Sequence, residues 1–99
     1  PLAIFPNSAQ DLNSNAWLKA RCGKDLDTAL TRSELSNKLS HDNYAYLDTL
    51  AEVYFQKGNR RKAVELSEQA VKLSGSDLLL HNQLQRFKND KPLSELLAE

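Results

Sequence analysis

Methionine is absent from this sequence of 99 residues, which also contains only one cysteine, three glycines and three prolines. Because Cys22 is alone, it has no partner for an internal disulfide and no second thiolate for a metal cage. A lone thiol fits a reducing compartment, which favours the cytoplasm, and we expect Cys22 to be partly buried and structural. The missing methionine leads us to expect that the chain was excised from a longer protein.

A net charge is absent too, because 13 basic residues balance 13 acidic ones. A dedicated binder of nucleic acid or of an anionic membrane needs a basic excess, so we expect neither partner. No apolar run approaches the roughly 18 residues that cross a bilayer, and we expect no membrane insertion.

Motifs that carry chemistry are scarce as well. The three glycines are dispersed and do not form a phosphate-binding loop. His41 and His81 lie far apart, and neither has an acidic residue or a cysteine at metal-ligand spacing. Cys22 has no positioned base that would make it a nucleophile. We therefore expect no metal, no cofactor and no enzymatic activity.

The chain does contain an internal repeat at an offset of 34 residues. Residues 28–40 (TALTRSELSNKLS) align with residues 62–74 (KAVELSEQAVKLS), and Leu30 over Val64 is a conservative match. A period near 34 that is built from two helices indicates an α-solenoid. The identical positions are Ala29, Ser33, Glu34, Lys38, Leu39 and Ser40, which match Ala63, Ser67, Glu68, Lys72, Leu73 and Ser74.

Apolar residues recur at helical spacing along the chain. Leu47, Leu50, Ala51 and Tyr54 lie at i, i+3, i+4 and i+7, and Gly58 is placed to end that helix. No segment alternates with the period of a strand. The sequence therefore predicts an all-α fold, an α-solenoid of antiparallel helix hairpins with five or six helices. Further stripes are Leu12, Ala16 and Ala20 before Gly23; Leu26, Ala29, Leu30 and Leu39; Ala63, Leu66, Ala70 and Leu73 before Gly75; and Leu80, Leu84 and Phe87, with Ser76 or Asp77 as cap.

Residues 44–76 closely resemble a tetratricopeptide repeat. That family has a large residue early in its first helix (helix A), then a leucine, a small residue and a tyrosine. It also has a glycine at the inter-helix turn and alanine at two points of the second helix (helix B). The small residues let helix backbones approach closely. The matching residues are Leu47, Leu50, Ala51, Tyr54, Gly58, Ala63 and Ala70.

The chain departs from the family pattern at a few positions. Ser33 and Ser67 replace an aromatic residue, and His41 and Gly75 replace a proline, so looser packing is expected between successive B helices. The first helix A is also ambiguous, because its NAWLKARC stretch aligns with LAEVYFQK in two registers one residue apart.

The resemblance divides the chain into five parts. We expect an extended N-terminal segment (1–9), a degenerate repeat (10–43), a tetratricopeptide repeat (44–77), a capping helix (78–89), and a short C-terminal helix or tail (90–99). The apolar PLAIF start either covers the open end of the first hairpin or occupies a groove, its own or a neighbour's.

In this family the helix A residues line a concave face that binds extended peptides. Chaperone-binding members clamp a terminal carboxylate there with lysine and asparagine. No lysine stands at the corresponding positions here, which argues against such a clamp. The positions that carry over are Asn13, Ser14, Asn15, Trp17, Leu18 and Arg21; Ala45, Asp48, Thr49, Glu52, Phe55 and Gln56; and Leu79, Asn82, Gln83 and Arg86.

Two of these positions are aromatic. Phe55 follows Tyr54 and cannot share its helix face, so we expect Phe55 to be exposed for docking. Trp17 is either a docking residue or part of the core. The leading hypothesis is a non-enzymatic module that presents this face to a peptide or protein. The alternative is a homodimer or other assembly element that docks through the apolar PLAIF and LSELLAE ends.

Overall fold

A computed structural model describes residues 8–91, which form five α-helices and no strand. This confirms the all-α prediction. The helix predicted from Pro92 onward lies outside the described residues, as does the N-terminal segment except for its last two residues. The helices are α1 (Ala9–Cys22), α2 (Leu26–Leu39), α3 (Tyr44–Gln56), α4 (Arg60–Ser74) and α5 (Leu78–Lys88).

Side-chain caps fix where four of the helices begin. Ser8, Asn43, Asn59 and Asp77 each accept hydrogen bonds from backbone N–H groups two or three residues further along. Such caps satisfy amides that have no partner within the helix. Asp77 rather than Ser76 therefore caps α5. Asp25, before α2, is the exception, because it has a left-handed backbone (φ 51°) and makes no cap bond.

The turns inside the two hairpins differ by one residue. Gly23 follows α1 and Gly58 follows α3. Both glycines have a positive φ, 66° and 91° respectively. The cap residue Asp25 comes two positions after Gly23, whereas Asn59 follows Gly58 directly. Equivalent residues of α1 and α3 are therefore 35 positions apart in the sequence, whereas equivalent residues of α2 and α4 are 34 positions apart. This extra turn residue explains why the first helix A aligns in two registers.

Each helix contacts the next one along the chain, and the odd-numbered helices also contact each other, α1 with α3 and α3 with α5. The short connections make consecutive helices antiparallel. Residues of α2 and α4 that match in the 34-residue repeat also have the same solvent exposure. Ala29 and Ala63 are fully buried, as are Ser33 and Ser67. The described residues are thus consistent with an all-α helical repeat.

The core consists of two groups of buried side chains. One lies among α3, α4 and α5, and the other lies where α1 and α2 meet α3. Partly buried Leu30 packs against both. The first group contains Leu50, Ala51, Ala63, Leu66 and Phe87, and the second contains Ala16, Ala20, Ala29 and Val53.

Three sequence predictions about burial were wrong. Leu39 and Leu73 were assigned to apolar stripes but are 53% and 46% exposed, because they lie in the last turns of α2 and α4. Cys22 is exposed rather than partly buried. It is the last residue of α1 and lies two positions beyond buried Ala20, a rotation of about 200° around the helix axis.

Candidate functional site

The odd-numbered helices surround a pocket of about 410 Å³, here called the Asp48 pocket. This volume is within the range of ligand sites in proteins. The pocket brings together five of the predicted site residues, Asn13, Trp17, Asp48, Thr49 and Gln83. Its other lining residues are Tyr44, Ala45, Asp77, Leu79 and Leu80, of which Ala45 and Leu79 were also assigned to the concave face.

Asp48 is a partly buried carboxylate in this pocket. Its two oxygens accept hydrogen bonds from Gln83 Nε2 at 3.2 and 3.4 Å. Burial raises the pKa of Asp48 from 3.8 to about 7, although the hydrogen bond from Gln83 lowers it. The Glu52 and Asp77 carboxylates raise this pKa further, and Arg86 opposes them. Asp48 is therefore about half ionised at neutral pH.

Beneath the pocket lies a buried ion pair between α3 and α5. Arg86 Nη2 donates to Glu52 Oε1, and the two residues are 5% and 0% exposed. Glu52 also accepts from Gln83 Nε2 at 3.3 Å and from Gln56 Nε2 at 2.7 Å. These four predicted site residues therefore form a network that joins two helices, and Glu52 and Arg86 are not on the open surface.

Two phenylalanines cover the Arg86 guanidinium. Its Cζ lies 5.1 Å from the Phe55 ring centroid and 4.7 Å from that of Phe87, and the two centroids are 4.8 Å apart. The expectation that Phe55 is exposed was wrong, since it is partly buried and packs against the core. The reason is that α3 lies between α4 and α5, so neighbouring positions of α3 pack on different helices.

The remaining predicted positions divide between pocket and surface. Trp17 is half-buried and lines the pocket, so its ring remains available on one side. Thr49 is buried, with its Oγ1 donating to the Ala45 carbonyl at 3.2 Å. Arg21 is exposed near the end of α1, outside the pocket.

Sequence reasoning missed Tyr44, Asp77 and Leu80 as pocket residues. Tyr44 and Asp77 lie at the starts of α3 and α5, and Asp77 was considered only as a cap. The capping pattern was a usable signal, because it showed that both helices begin at equivalent points. A second pocket, of about 500 Å³, was not predicted at all. It is lined by Asn37, His41, Asp42, Leu47, Gln69, Lys72 and Leu73.

Within residues 8–91, no three histidine, cysteine, aspartate or glutamate side chains are grouped to hold a metal ion. None of the described helices combines the length and apolarity needed to cross a membrane. No family model matches this chain, and no solved structure matches it. The tetratricopeptide assignment remains a prediction, and the function is argued below from the pocket and its contacts.

Proposed function

We propose that the chain is a non-enzymatic interaction module of the tetratricopeptide class, whose odd-numbered helices bind an extended segment of a partner protein. The observation that carries the proposal is the Asp48 pocket, where α1, α3 and α5 each supply lining side chains. Concave sites with apolar walls and a few convergent polar groups are typical of ligand binding.

The surface beside the pocket supports this proposal. Tyr44 and Leu79 line the pocket and are 42% and 58% exposed, and Trp17 presents one side of its ring. Aromatic side chains contribute a large share of binding energy at protein interfaces. An extended segment would gain apolar contacts from these side chains and polar contacts from Asp48.

The chemistry of the lining favours binding over catalysis. Asp48 has a perturbed pKa, which is typical of functional sites in general. A transfer or hydrolysis reaction would also need a second group, such as a nucleophile with an adjacent base. Around Asp48 the described lining supplies amides, apolar side chains, the cap residue Asp77 and two hydroxyl groups. The Tyr44 hydroxyl is one, and the other is that of Thr49, which donates to the Ala45 carbonyl. We therefore propose a binding role.

A peptide-display selection on the immobilised chain tests the proposal. Enriched peptides are rescreened on Leu79→Lys, which places a positive charge in the lining of the Asp48 pocket, and on Leu73→Lys, which places one in the second pocket. Both leucines are exposed, at 58% and 46%, so both variants should fold. We expect most enriched peptides to lose at least about tenfold in affinity on Leu79→Lys, because a positive charge there disrupts apolar contacts and competes for Asp48.

The matched variants distinguish the two surfaces. Peptides that bind Leu79→Lys normally but fail on Leu73→Lys would transfer the function to the second pocket. Peptides that bind both variants normally would contradict a role for either site. Circular dichroism of the variants confirms that helicity is retained.

Self-association through the apolar ends remains the alternative proposal. The PLAIF and LSELLAE segments on which it depends lie outside residues 8–91. Light scattering over a wide concentration range decides between the two proposals. A monomer supports the interaction module, whereas a dimer that dissociates when residues 1–7 are deleted supports assembly.

A further inference from the structure

The Asp48 pocket has an excess of negative charge. Asp48 and Asp77 line it, the carboxylates of Glu52 and Asp77 both act on Asp48, and Arg86 is the cation that acts on Asp48. Arg86 is already paired with Glu52. None of the described lining residues is a lysine, an arginine or a histidine. The pocket therefore lacks a cation that would neutralise Asp48.

From this charge imbalance, we propose that the Asp48 pocket binds the side chain of a lysine in the partner segment. The inference rests on the proposed function, because it specifies the chemistry of the segment that the surface binds. The ammonium group lies against Asp48, and the aliphatic stem lies along Leu79 and Leu80. The aromatic rings of Trp17 and Tyr44 suit the same group, since ring faces attract cations.

Two unpaired acceptors in the lining support an incoming hydrogen-bond donor. Asn13 Oδ1 and Gln83 Oε1 accept no hydrogen bond from the described residues, and both are covered by surrounding atoms, so an incoming donor reaches them only when those atoms move aside. The Gln83 amide is held in this orientation, because its Nε2 donates to both Asp48 and Glu52. Buried acceptors without a donor destabilise the empty site. An ammonium group has three donors and no acceptor, which complements this set.

An anionic ligand fits the pocket poorly. The starts of α3 and α5 face it, and exposed amides at helix starts attract anions. Here those amides are already used. Asn43 accepts from the N–H groups of residues 45 and 46, and Asp77 accepts from those of Leu79 and Leu80. An anion would meet the Asp48 and Asp77 carboxylates without free backbone amides to compensate.

Lysine also fits better than arginine. The planar guanidinium group binds best to a carboxylate that offers both oxygens side by side. Both oxygens of Asp48 already face Gln83 Nε2. The compact ammonium group needs only one free lone pair on Asp48. The geometry therefore favours the ammonium group of lysine over the guanidinium group of arginine.

Binding of a cation should depend on pH, because it requires ionised Asp48. The charged and polar groups that face this carboxylate are Gln83 and Arg86 from α5, Asp77 at its cap and Glu52 from α3 itself. With a pKa near 7, about a tenth of Asp48 is ionised at pH 6 and about nine tenths at pH 8. The affinity for lysine should thus be higher at pH 8 than at pH 6.

Trp17 is the only tryptophan and lines the pocket, so its fluorescence reports occupancy. The test titrates acetylated, amidated heptapeptides of sequence Ser-Gly-Leu-X-Leu-Gly-Ser, with lysine, arginine, norleucine or glutamate at X. We expect the lysine peptide to bind at least about tenfold more tightly than the norleucine peptide at pH 8. Asp48→Asn should abolish this preference, whereas Asp90→Asn, the same change at an exposed position, should preserve it.

Each outcome decides the inference. Equal binding of lysine and norleucine peptides would overturn it and leave the proposed function standing, because a peptide would still occupy the pocket. Tighter binding of the arginine or glutamate peptide would overturn the choice of lysine. If no peptide changed Trp17 fluorescence, the inference would fail, and the display selection with Leu79→Lys and Leu73→Lys would decide the proposed function separately.

Discussion

Two sets of helix contacts differ in the side chains that they bury. Those of α1 with its neighbours bury small apolar side chains, whereas those between α3 and α5 also bury charged ones. Ala16, Ala20 and Ala29 are fully buried where α1 meets α2, and their small size lets the backbones approach. Between α3 and α5 the buried contacts include the charged pair Glu52–Arg86, which lies against Phe55 and Phe87. The same helical scaffold thus uses close packing at one end and buried charge at the other.

The difference is clearest at one repeated position. Trp17, Glu52 and Arg86 each lie nine residues after the cap of their helix. Glu52 and Arg86 pair and close the space between α3 and α5, whereas Trp17 is half-buried and borders the pocket. The same helix position therefore carries a buried ion pair between α3 and α5 and, in α1, a side chain that lines the Asp48 pocket.

Among the substitutions that test this difference, Glu52→Gln should have the largest effect on stability. It leaves the Arg86 charge buried without its partner, which should lower the free energy of unfolding by about 3–5 kcal/mol. Urea denaturation followed by circular dichroism at pH 7 measures this. Glu68→Gln is the matched control, because its Lys88 pair is exposed and should change stability by less than about 1 kcal/mol. Similar losses in both variants would contradict the structural role of the buried pair.

Asp48→Asn should have the next largest effect, and its sign depends on pH. The folded-state pKa of Asp48 is raised, so its protonated form favours folding, and stability is lost as pH rises from about 4 to 7. A rise from 3.8 to about 7 corresponds to at most about 4 kcal/mol, and solvent at the pocket reduces this. Asp48→Asn should therefore be more stable than the parent chain at pH 8 and similar to it near pH 4. Thermal denaturation at both pH values measures this, and a variant that is less stable at pH 8 would contradict it.

The buried serines offer a smaller comparison within the repeat. Ser33 and Ser67 Oγ are buried and have no hydrogen-bond partner among the described residues. Ser36 Oγ instead donates to the Ala9 carbonyl at 2.9 Å. Ser33→Ala and Ser67→Ala should each be neutral or stabilising by up to about 1 kcal/mol, because an unpaired hydroxyl is removed. Ser36→Ala should lose about 1 kcal/mol in the same urea assay, and an equal loss in all three would contradict this assignment.

The smallest expected difference is between the two hairpin turns. Asn59 caps α4 by accepting from Lys62 N at 3.1 Å, so Asn59→Ala should lose about 1 kcal/mol. Asp25 makes no cap bond and has φ 51°, a conformation that asparagine tolerates. Asp25→Asn should therefore change the melting temperature little. A larger loss at Asp25 than at Asn59 would show that the turns are not distinguished by capping.

Much of the fold could be predicted from local pattern. Gly23, Gly58 and Gly75 lie at helix ends as predicted, and the stripe of Leu80, Leu84 and Phe87 is buried. These features depend on residues a few positions apart, which share a helix face. The exposure of Leu39 and Leu73 could not be predicted in this way, because it depends on where the neighbouring helices end.

The candidate site was predicted only in part. Asn13, Trp17, Asp48, Thr49 and Gln83 do share one pocket. The pairing of Glu52 with Arg86 was missed, because a salt bridge between non-consecutive helices leaves no periodic signal in the sequence. The extra turn residue before Asp25 shifted the register of the first helix A, and only the positions of the caps resolved it.

The central claim is that the odd-numbered helices, and not the surface beside Leu73, bind the partner segment. Its most direct test maps amide chemical shifts in the ¹⁵N-labelled chain while a display-selected peptide is added. The proposal predicts that the largest shifts lie at Asn13, Trp17, Ala45, Asp48 and Leu79 around the Asp48 pocket. Shifts that instead centre on Asn37, His41 and Leu73 at the second pocket would contradict it.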